Sequence, residues 1–298
     1  MNIIEVKNLT KAYGTLTAVD HISFNVEQGS MLGFLGINGA GKSTAINMLS
    51  TLLQPDEGTA LICGHRLGKE DDSIRRKIGI VYQQNCLDDL LSVRENLLCR
   101  GILHGASRSE AVRQLNRLSR ILKLEDILKK QYKTLSGGQK RRCEIAAALM
   151  HTPQILFLDE PTTGLDPATR KDVWQIIETL RREENTTVFL TTHYMEEAAT
   201  ADRIIILDHG KIITTGTPFE LKERYARDKL RLYGDAEHLS GLNGEVTPYG
   251  MEIRLSSTLD ALPILDRIKD RIDGFEVIQG NMDDVFLNAV GTTLEDQV

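Results

Sequence analysis

Short runs of β-branched and aliphatic residues alternate with longer amphipathic stretches through residues 1–218 of the 298-residue chain. Two runs, Ile155–Leu158 and Ile204–Leu207, are apolar at every position, as in strands buried on both faces. Residues 108–124 show helical spacing instead, which predicts a surface helix with one buried stripe. Such alternation is typical of a layered α/β domain. The predicted strands are Ile3–Val6, Ile22–Val26, Met31–Leu35, Thr59–Ile62, Ile78–Val81, Ile155–Leu158, Thr187–Leu190, Ile204–Leu207 and Lys211–Thr214.

The pattern changes near residue 219, after a helix-start signal at Gly216-Thr217-Pro218. We therefore predict one domain over residues 1–218 and a small α+β domain over residues 219–298. The elements predicted in the second domain are a helix at Phe219–Arg227, a polar stretch at Tyr233–Gly250, a strand at Met251–Leu255, a helix at Leu259–Ile272, a strand at Phe275–Ile278 and a helix at Met282–Val290.

Composition and charge narrow the class of protein. Hydrophobic residues make up 41 % and charged residues 26 % of the chain, which excludes a disordered or collagen-like protein. No apolar run approaches the about 20 residues of a membrane span, so we expect no transmembrane helix and no secretory signal. Residues 219–298 carry 9 basic and 16 acidic side chains, against 27 and 26 in residues 1–218. This acidity argues against nucleic acid as a partner.

The segment from Gly36 to Ser43 fits the phosphate-loop pattern G-x-x-x-x-G-K-[ST]. A predicted strand precedes it, and a predicted helix at Ala45–Leu53 follows it. The glycines let backbone N–H groups surround a phosphate at the positive end of that helix. Lys42 can then reach the β- and γ-phosphates, and the Ser43 hydroxyl can bind Mg²⁺. The residues predicted to bind nucleotide here are Gly36, Asn38, Gly39, Ala40, Gly41, Lys42, Ser43 and Thr44.

Two carboxylates, Asp159 and Glu160, follow the apolar strand that Pro161 ends. Beside a phosphate loop, a strand end is where Mg²⁺ requires an acidic partner, and Asp159 fits that role. Glu160 would project toward the γ-phosphate, where it can orient or deprotonate an attacking water.

Leu135-Ser136-Gly137-Gly138-Gln139 is a further candidate phosphate site. Ser136 is placed to cap a helix that runs through Met150, and the glycine pair exposes N–H groups at its positive end. With the preceding motifs, this segment resembles the signature of the nucleotide-binding subunits of ATP-binding-cassette (ABC) transporters. The resemblance implies that Ser136, Gly137, Gly138 and Gln139 contact the γ-phosphate of ATP bound to the opposite subunit.

The resemblance assigns four more positions. Tyr13 lies where the family stacks an aromatic ring on adenine, and Gln83, with Gln84 beside it, matches the glutamine that senses Mg²⁺ and the γ-phosphate. Asp166 matches an aspartate that communicates across the dimer, and His193 a histidine that contacts the γ-phosphate. The implied catalytic residues are Glu160, His193 and Gln83, and the implied metal ligands are Ser43, Gln83 and Asp159.

The implied fold is an α/β P-loop NTPase (ABC ATPase) domain with a β-rich N-terminal part and a helical signature subdomain. The small α+β C-terminal domain is expected to serve dimerisation or regulation. Ala147 departs from the family, in which many members carry Arg, and we expect this to alter packing or a surface contact, not the chemistry. Asp283-Asp284-Val285-Phe286-Leu287 resembles the C-terminal marker of the daunorubicin-resistance branch, although Gly280-Asn281-Met282 replaces its Pro-Ser-Leu.

The resemblance predicts an ATP-binding and ATP-hydrolysing subunit of an exporter, with ATP and Mg²⁺ bound. Its partners would be a second cassette, identical or similar, and integral membrane permease subunits. The chain would lie peripherally at the cytoplasmic face of the cell membrane, which it contacts only through the permease. Alternatives are a soluble, non-transport ABC ATPase of translation or DNA repair, a nucleotide-gated regulator, and an importer subunit.

Overall fold

A computed structural model describes residues 1–235, 239 and 241–295, with side chains except at 184 and 292–295. Residues 236–238 and 240 of the predicted polar stretch lie outside the described residues. The strands in chain order are β1 (Asn2–Tyr13), β2 (Leu16–Glu27), β3 (Met31–Leu35), β4 (Glu57–Ile62), β5 (His65–Arg66), β6 (Ile78–Val81), β7 (Ile155–Asp159), β8 (Thr187–Thr192), β9 (Arg203–Asp208), β10 (Lys211–Gly216), β11 (Asp228–Tyr233), β12 (Glu245–Thr247), β13 (Gly250–Leu255) and β14 (Gly274–Ile278).

Helices connect these strands and cover the central sheet. The α-helices are α1 (Lys42–Leu49), α2 (Asp71–Arg75), α3 (Val93–Leu103), α4 (Arg108–Ile121), α5 (Gly137–Leu149), α6 (Pro167–Glu184), α7 (Pro218–Tyr225), α8 (Ala261–Ile268) and α9 (Met282–Glu295). Short 3₁₀ helices lie at Glu125–Ile127, Tyr132–Thr134, Met195–Thr200 and Thr258–Asp260.

The central sheet has the strand order β10-β9-β3-β8-β7-β6, and its strands are parallel except for β10. An antiparallel sheet of order β2-β1-β4-β5 forms the β-rich N-terminal part. Successive side chains of a strand face opposite sides of a sheet. Accordingly, Ile155 and Phe157 pack in the core under the N-terminal sheet, whereas Leu156 and Leu158 pack in the core under the helices.

The C-terminal residues are divided between two cores. Strands β11 to β14 form a sheet of order β12-β13-β11-β14, which packs with α8 around its own core. Helices α7 and α9 instead contribute Leu221, Met282, Val285 and Phe286 to the helical core of the preceding residues. The Met282 amide donates to Glu196 Oε1 at 3.0 Å, which ties the start of α9 to the main body. The domain boundary after residue 218 stays a prediction.

Several elements differ from the predictions. Strand β1 continues seven residues beyond Val6 because an irregularity near Asn8, whose φ is +49°, restarts the alternation. The helix predicted at Leu259–Ile272 is shorter, comprising a 3₁₀ turn and α8. The helix predicted from Ala45 begins at Lys42 and ends at Leu49. The elements β5, α2, α3, α6, β11 and β12 were not predicted from the sequence.

Candidate functional site

The phosphate loop lies between β3 and α1, at the carboxyl edge of the parallel sheet. Gly41 has a φ of +104°, and a Cβ there would collide with the carbonyl oxygen of Ala18 in β2. A Cβ on Gly36 would lie 2.7 Å from the carbonyl oxygen of Leu207. Backbone conformation and close packing therefore both require glycine in this loop.

Lys42, with 5 % of its side chain exposed, lies inside the loop. Its Nζ donates to the carbonyl oxygens of Gly36 at 2.8 Å and Ile37 at 3.1 Å, and lies 3.9 Å from Glu160 Oε1. Burial lowers the pKa of Lys42, while the charges of Glu160 and Asp159 act in the opposite direction. The ammonium group is thus held between loop carbonyls and the acidic pair, where a phosphate would compete for it.

Asp159 ends β7, and its Oδ1 accepts a 2.6 Å hydrogen bond from the Thr191 hydroxyl on neighbouring β8. Burial raises the pKa of Asp159, although the Thr191 bond and the charges of Lys42 and Arg141 partly offset that effect. Ser43 is exposed in the first turn of α1. The Thr191 hydroxyl thus orients the Asp159 carboxylate before any ligand binds.

Glu160 is the meeting point of the predicted catalytic residues, and 11 % of its side chain is exposed. Its Oε2 accepts hydrogen bonds at 3.1 Å from both Gln83 Nε2 and Thr163 Oγ1. His193 Nδ1 lies 3.2 Å from the same oxygen but makes no hydrogen bond within the described residues. The contact of Gln83 with Glu160 supports choosing Gln83 over Gln84.

The main chain at Glu160 has a φ of +46°, which is uncommon for a residue other than glycine. The Glu160 amide donates to the Thr191 carbonyl at 3.0 Å, which holds this backbone against β8. A conformation of this kind persists only where its surroundings determine it, and it is concentrated at active sites.

The signature residues form a second group. Ser136 caps α5, because its hydroxyl accepts from the Gln139 amide at 3.4 Å while Gln139 Oε1 accepts from the Ser136 amide at 3.1 Å. Ser136 and Gly137 are exposed, and a Cβ on Gly138 would collide with Thr169 in the first turn of α6. This helix start therefore presents backbone N–H groups to the surface of the chain.

Asp166 caps α6, with its Oδ1 accepting from the amides of Ala168 at 3.1 Å and Thr169 at 3.0 Å. Hydrogen bonds from Thr169 lower its pKa. Because Thr169 packs against Gly138 and donates to Asp166, the Asp166 carboxylate lies beside the signature residues.

Tyr13 ends β1 and is 52 % exposed. Strand β2, which follows in the same hairpin, contacts the phosphate loop at Ala18.

The other predicted nucleotide-binding residues of the phosphate loop differ in exposure. Asn38 and Gly39 are exposed, Ala40 is buried and Thr44 is half-buried.

A sequence profile for ABC transporters matches residues 19–163. The chain is 40 % identical to the daunorubicin/doxorubicin resistance ATP-binding protein DrrA of Streptomyces peucetius, over 99 % of this chain and 94 % of that relative. It is 36 % identical to the linearmycin resistance ATP-binding protein LnrL of Bacillus subtilis, over 99 % and 100 %. This chain belongs to the ABC transporter family.

Solved ABC structures share the fold. The ATP-binding cassette MJ0796, in a dimeric post-hydrolysis state with ADP and Pi, is 31 % identical with a TM-score of 0.66, over 72 % of this chain and 98 % of that chain. The cbiO1 protein of Clostridium perfringens is 28 % identical with a TM-score of 0.69, over 74 % and 90 %. The predicted P-loop NTPase fold and ATP-hydrolysing transporter subunit are confirmed, and the comparisons favour them over the non-transport alternatives.

Family membership makes an adenine nucleotide the substrate of this ABC subunit. The structure adds Thr163 and Thr191, to which the sequence analysis assigned no role. Their signal was weak, because a threonine near a motif carries little information before its neighbours in space are known. No helix in the described ranges is long and apolar enough to cross a membrane.

Proposed function

We propose that two ABC subunits, this chain and an identical or similar partner, close head to tail around ATP and drive export through separate permease subunits. The observation that carries this proposal is the convergence of Gln83, His193 and Lys42 on Glu160. A largely buried carboxylate with these neighbours fits a base held at fixed distance from a phosphate bound by Lys42.

In the proposed reaction, Glu160 takes a proton from a water that attacks the γ-phosphorus. The bond from that phosphorus to the bridging oxygen breaks, and ADP leaves with that oxygen. His193 and Gln83 orient the γ-phosphate and the water, and Lys42 stabilises the negative charge on the phosphate oxygens. Thr163, bonded to Glu160 Oε2, limits the rotation of this carboxylate.

The oxygen donors of Ser43, Asp159 and Gln83 fit Mg²⁺, which prefers hard oxygen ligands and uses few carboxylates beside substrate phosphates. Within the described residues, no three His, Cys, Asp or Glu side chains are grouped to hold a metal alone. This agrees with a site that nucleotide phosphates complete. Mg²⁺, when bound, would neutralise phosphate charge, while Thr191 keeps Asp159 oriented.

The exposed signature supports the head-to-tail arrangement. Ser136 and Gly137 lie at the surface, at the positive end of a 13-residue helix. In the proposed dimer they face the γ-phosphate bound by Lys42 of the opposite subunit, with Asp166 alongside and Tyr13 stacked on adenine. ATP would then join the subunits because it gives negative charge to both phosphate sites.

We place the chain at the cytoplasmic face of the cell membrane, in contact with the bilayer only through the permease. Relatives named for daunorubicin/doxorubicin resistance, linearmycin resistance and Nod factor export support an organic cargo and outward transport. Nucleic acid is not a proposed partner, since the excess acidity of residues 219–298 disfavours it.

Affinity purification of the full-length chain from detergent-solubilised host membranes tests this assembly. We expect a polytopic membrane protein in near-equal amount and ATP hydrolysis by the purified complex. Recovery with ribosomes or repair factors would instead move the function to a non-transport ATPase. Transport of the cargo into inverted vesicles would separate an exporter from an importer.

We also propose residues 219–298 as an accessory dimerisation or regulatory domain. Ala226 and Gly280 are neighbours, since a Cβ on Gly280 would lie 2.7 Å from Ala226 Cβ, and the sheet between them has its own core. Replacing residues 228–279 by a short Gly-Ser linker would therefore retain α7 and α9. Nucleotide binding should persist while dimerisation or turnover changes; loss of binding in a folded variant contradicts the proposal.

A further inference from the structure

Helix α5 carries the signature at its start and contacts a different part of the site one turn later. Arg141 and Glu144, three residues apart, share one face of the helix. Both side chains reach the segment of residues 82–87, here called the Gln83 loop, which joins β6 to the helical part of the chain.

Glu144 holds the far end of the Gln83 loop. Only 6 % of Glu144 is exposed, and its Oε1 accepts from the amides of Cys86 at 2.8 Å and Leu87 at 3.1 Å. The same oxygen accepts a 2.6 Å hydrogen bond from the hydroxyl of Tyr132, which lies four residues before Ser136. Hydrogen bonds to a buried carboxylate are stronger than neutral ones, so this end of the loop is firmly attached.

Arg141 holds the near end of the same loop. Its Nη1 donates to the Tyr82 carbonyl at 2.5 Å, and Nη2 and Nε donate to the carbonyls of Asp159 at 3.2 Å and Pro161 at 2.5 Å. Burial lowers the pKa of Arg141 to about 10, which leaves the guanidinium charged at neutral pH. One side chain therefore connects α5, the loop and the acidic end of β7.

We propose that Arg141 and Glu144 are positioning residues that fix the Gln83 loop to the signature helix, so that the position of α5 determines where Gln83 lies relative to Glu160. Between the two anchors, Gln83 Nε2 donates to Glu160 Oε2 at 3.1 Å. A partner subunit that binds at Ser136 would thereby influence the geometry of Gln83 through Arg141 and Glu144, which lie one to two turns further along the same helix. The proposal rests on the proposed function, because Gln83 and Glu160 have their roles there.

A double-mutant cycle separates positioning through Gln83 from a general structural role. Glu144→Met retains volume but removes the acceptor, and Glu144→Gln is the conservative variant. We expect Glu144→Met to lower kcat of the full-length protein about tenfold with KM for ATP within about twofold, and Glu144→Gln to lose less. In a Gln83→Ala background, the same change should lower kcat less than about twofold. Equal losses in both backgrounds would overturn the proposal.

Arg142 provides a matched control on the same helix. It donates to the carbonyls of Leu122 and Lys123, which belong to the helical part and not to the Gln83 loop. Arg141→Met should therefore lower kcat and couple to Gln83→Ala, whereas Arg142→Met should give equal effects in both backgrounds. If Arg142→Met also couples to Gln83→Ala, a general loss of α5 stability would explain the lower kcat of both variants, and the proposal would be overturned.

Amide hydrogen exchange gives a measurement that does not depend on turnover. The peptide containing Cys86 and Leu87 should exchange at least about tenfold faster in Glu144→Met, with a smaller change in Glu144→Gln and little change in Arg142→Met. Unchanged exchange would overturn the anchoring. If the unmutated chain neither associates with a permease nor hydrolyses ATP, the proposed function fails, whereas this exchange result still decides whether Glu144 anchors the loop.

Discussion

The acidic end of β7 and the start of the signature helix are both proposed to act on phosphate, but they differ in how many of their contacts are already formed. Around Glu160, side chains from three strand ends and the phosphate loop are already in contact, and most of the carboxylate is buried. The start of the signature helix is capped by Ser136, which exchanges hydrogen bonds with Gln139, and it is open to solvent.

In the proposed function, the group around Glu160 carries out hydrolysis, and the group around Ser136 controls when hydrolysis occurs. A catalytic carboxylate requires fixed neighbours before substrate arrives, because preorganisation lowers the barrier without further rearrangement. A phosphate contact that must form and break in each cycle requires an accessible surface. In the proposed dimer, the chain therefore contributes the hydrolytic group, while a second subunit completes the signature group.

The largest expected effect comes from Glu160→Gln, which tests whether the buried group is the catalytic one. Removal of the base should lower kcat by about 10²–10⁴-fold while nucleotide binding remains. Size-exclusion chromatography with ATP should then show a stable dimer, because hydrolysis no longer separates the subunits. Glu125→Gln, at an exposed 3₁₀ turn, is the control and should turn over normally. Near wild-type turnover in Glu160→Gln would refute the assigned role.

Gly137→Asp tests the open group and is expected to have the next largest effect. Among the residues that the structure describes, a Cβ at Gly137 would approach only Leu165, at 3.7 Å, so the monomer should fold and bind nucleotide as before. The added carboxylate should repel the opposite γ-phosphate, and the ATP-dependent dimer should weaken by more than about tenfold. Ser109→Asp adds the same charge at the exposed start of α4 and serves as the control. Unchanged dimerisation of Gly137→Asp would place the interface elsewhere.

The sequence predicted most of the parallel sheet because its strands are short runs of mainly aliphatic and β-branched residues. It did not predict α3, although Ser92 and Glu95 form a capping box there, or β11, although Leu230 and Leu232 alternate with polar residues. Both signals are local and could have been used. The extension of β1 beyond Asn8 could not be predicted, because the irregularity depends on pairing with β2.

The candidate site likewise has residues that the sequence predicted and residues that it did not. The phosphate loop, Asp159, Glu160 and Ser136 lie in contiguous motifs whose residue types determine their chemistry. The choice between Gln83 and Gln84, and the roles of Arg141 and Glu144, depend on contacts across 58 to 77 positions of the sequence. Such contacts follow from the packing of helices on the sheet, which no short pattern encodes.

Asp159→Asn tests the acidic end of β7 through the pH dependence of the stability of the chain. Burial raises the pKa of Asp159, so the folded state binds its proton more tightly than the unfolded chain does, and the stability contributed by this group falls as pH rises through that pKa. Without nucleotide, the variant should be more stable than wild type at neutral pH by on the order of 1 kcal/mol, and the gap should close toward acidic pH.

The same substitution should weaken Mg²⁺-dependent ATP binding by about tenfold. Thermal melts between pH 4 and 8 and titrations with and without Mg²⁺ measure both effects. Asp172→Asn, on the exposed face of α6, is the control and should change neither. A stability gap that widens toward acidic pH would contradict the assigned cause.

Thr163→Val is expected to have the smallest effect, and it tests how completely the Glu160 group is preorganised. The variant keeps the side-chain shape but removes the hydroxyl that donates to Glu160 Oε2 at 3.1 Å. Because Thr163 is exposed, water can replace part of this bond, and kcat should fall only about two- to tenfold with KM for ATP unchanged. Thr163→Ser retains the hydroxyl and should turn over like wild type. If Thr163→Val raises KM and leaves kcat unchanged, the hydroxyl contributes to nucleotide binding, and Gln83 and the surrounding backbone alone orient the carboxylate.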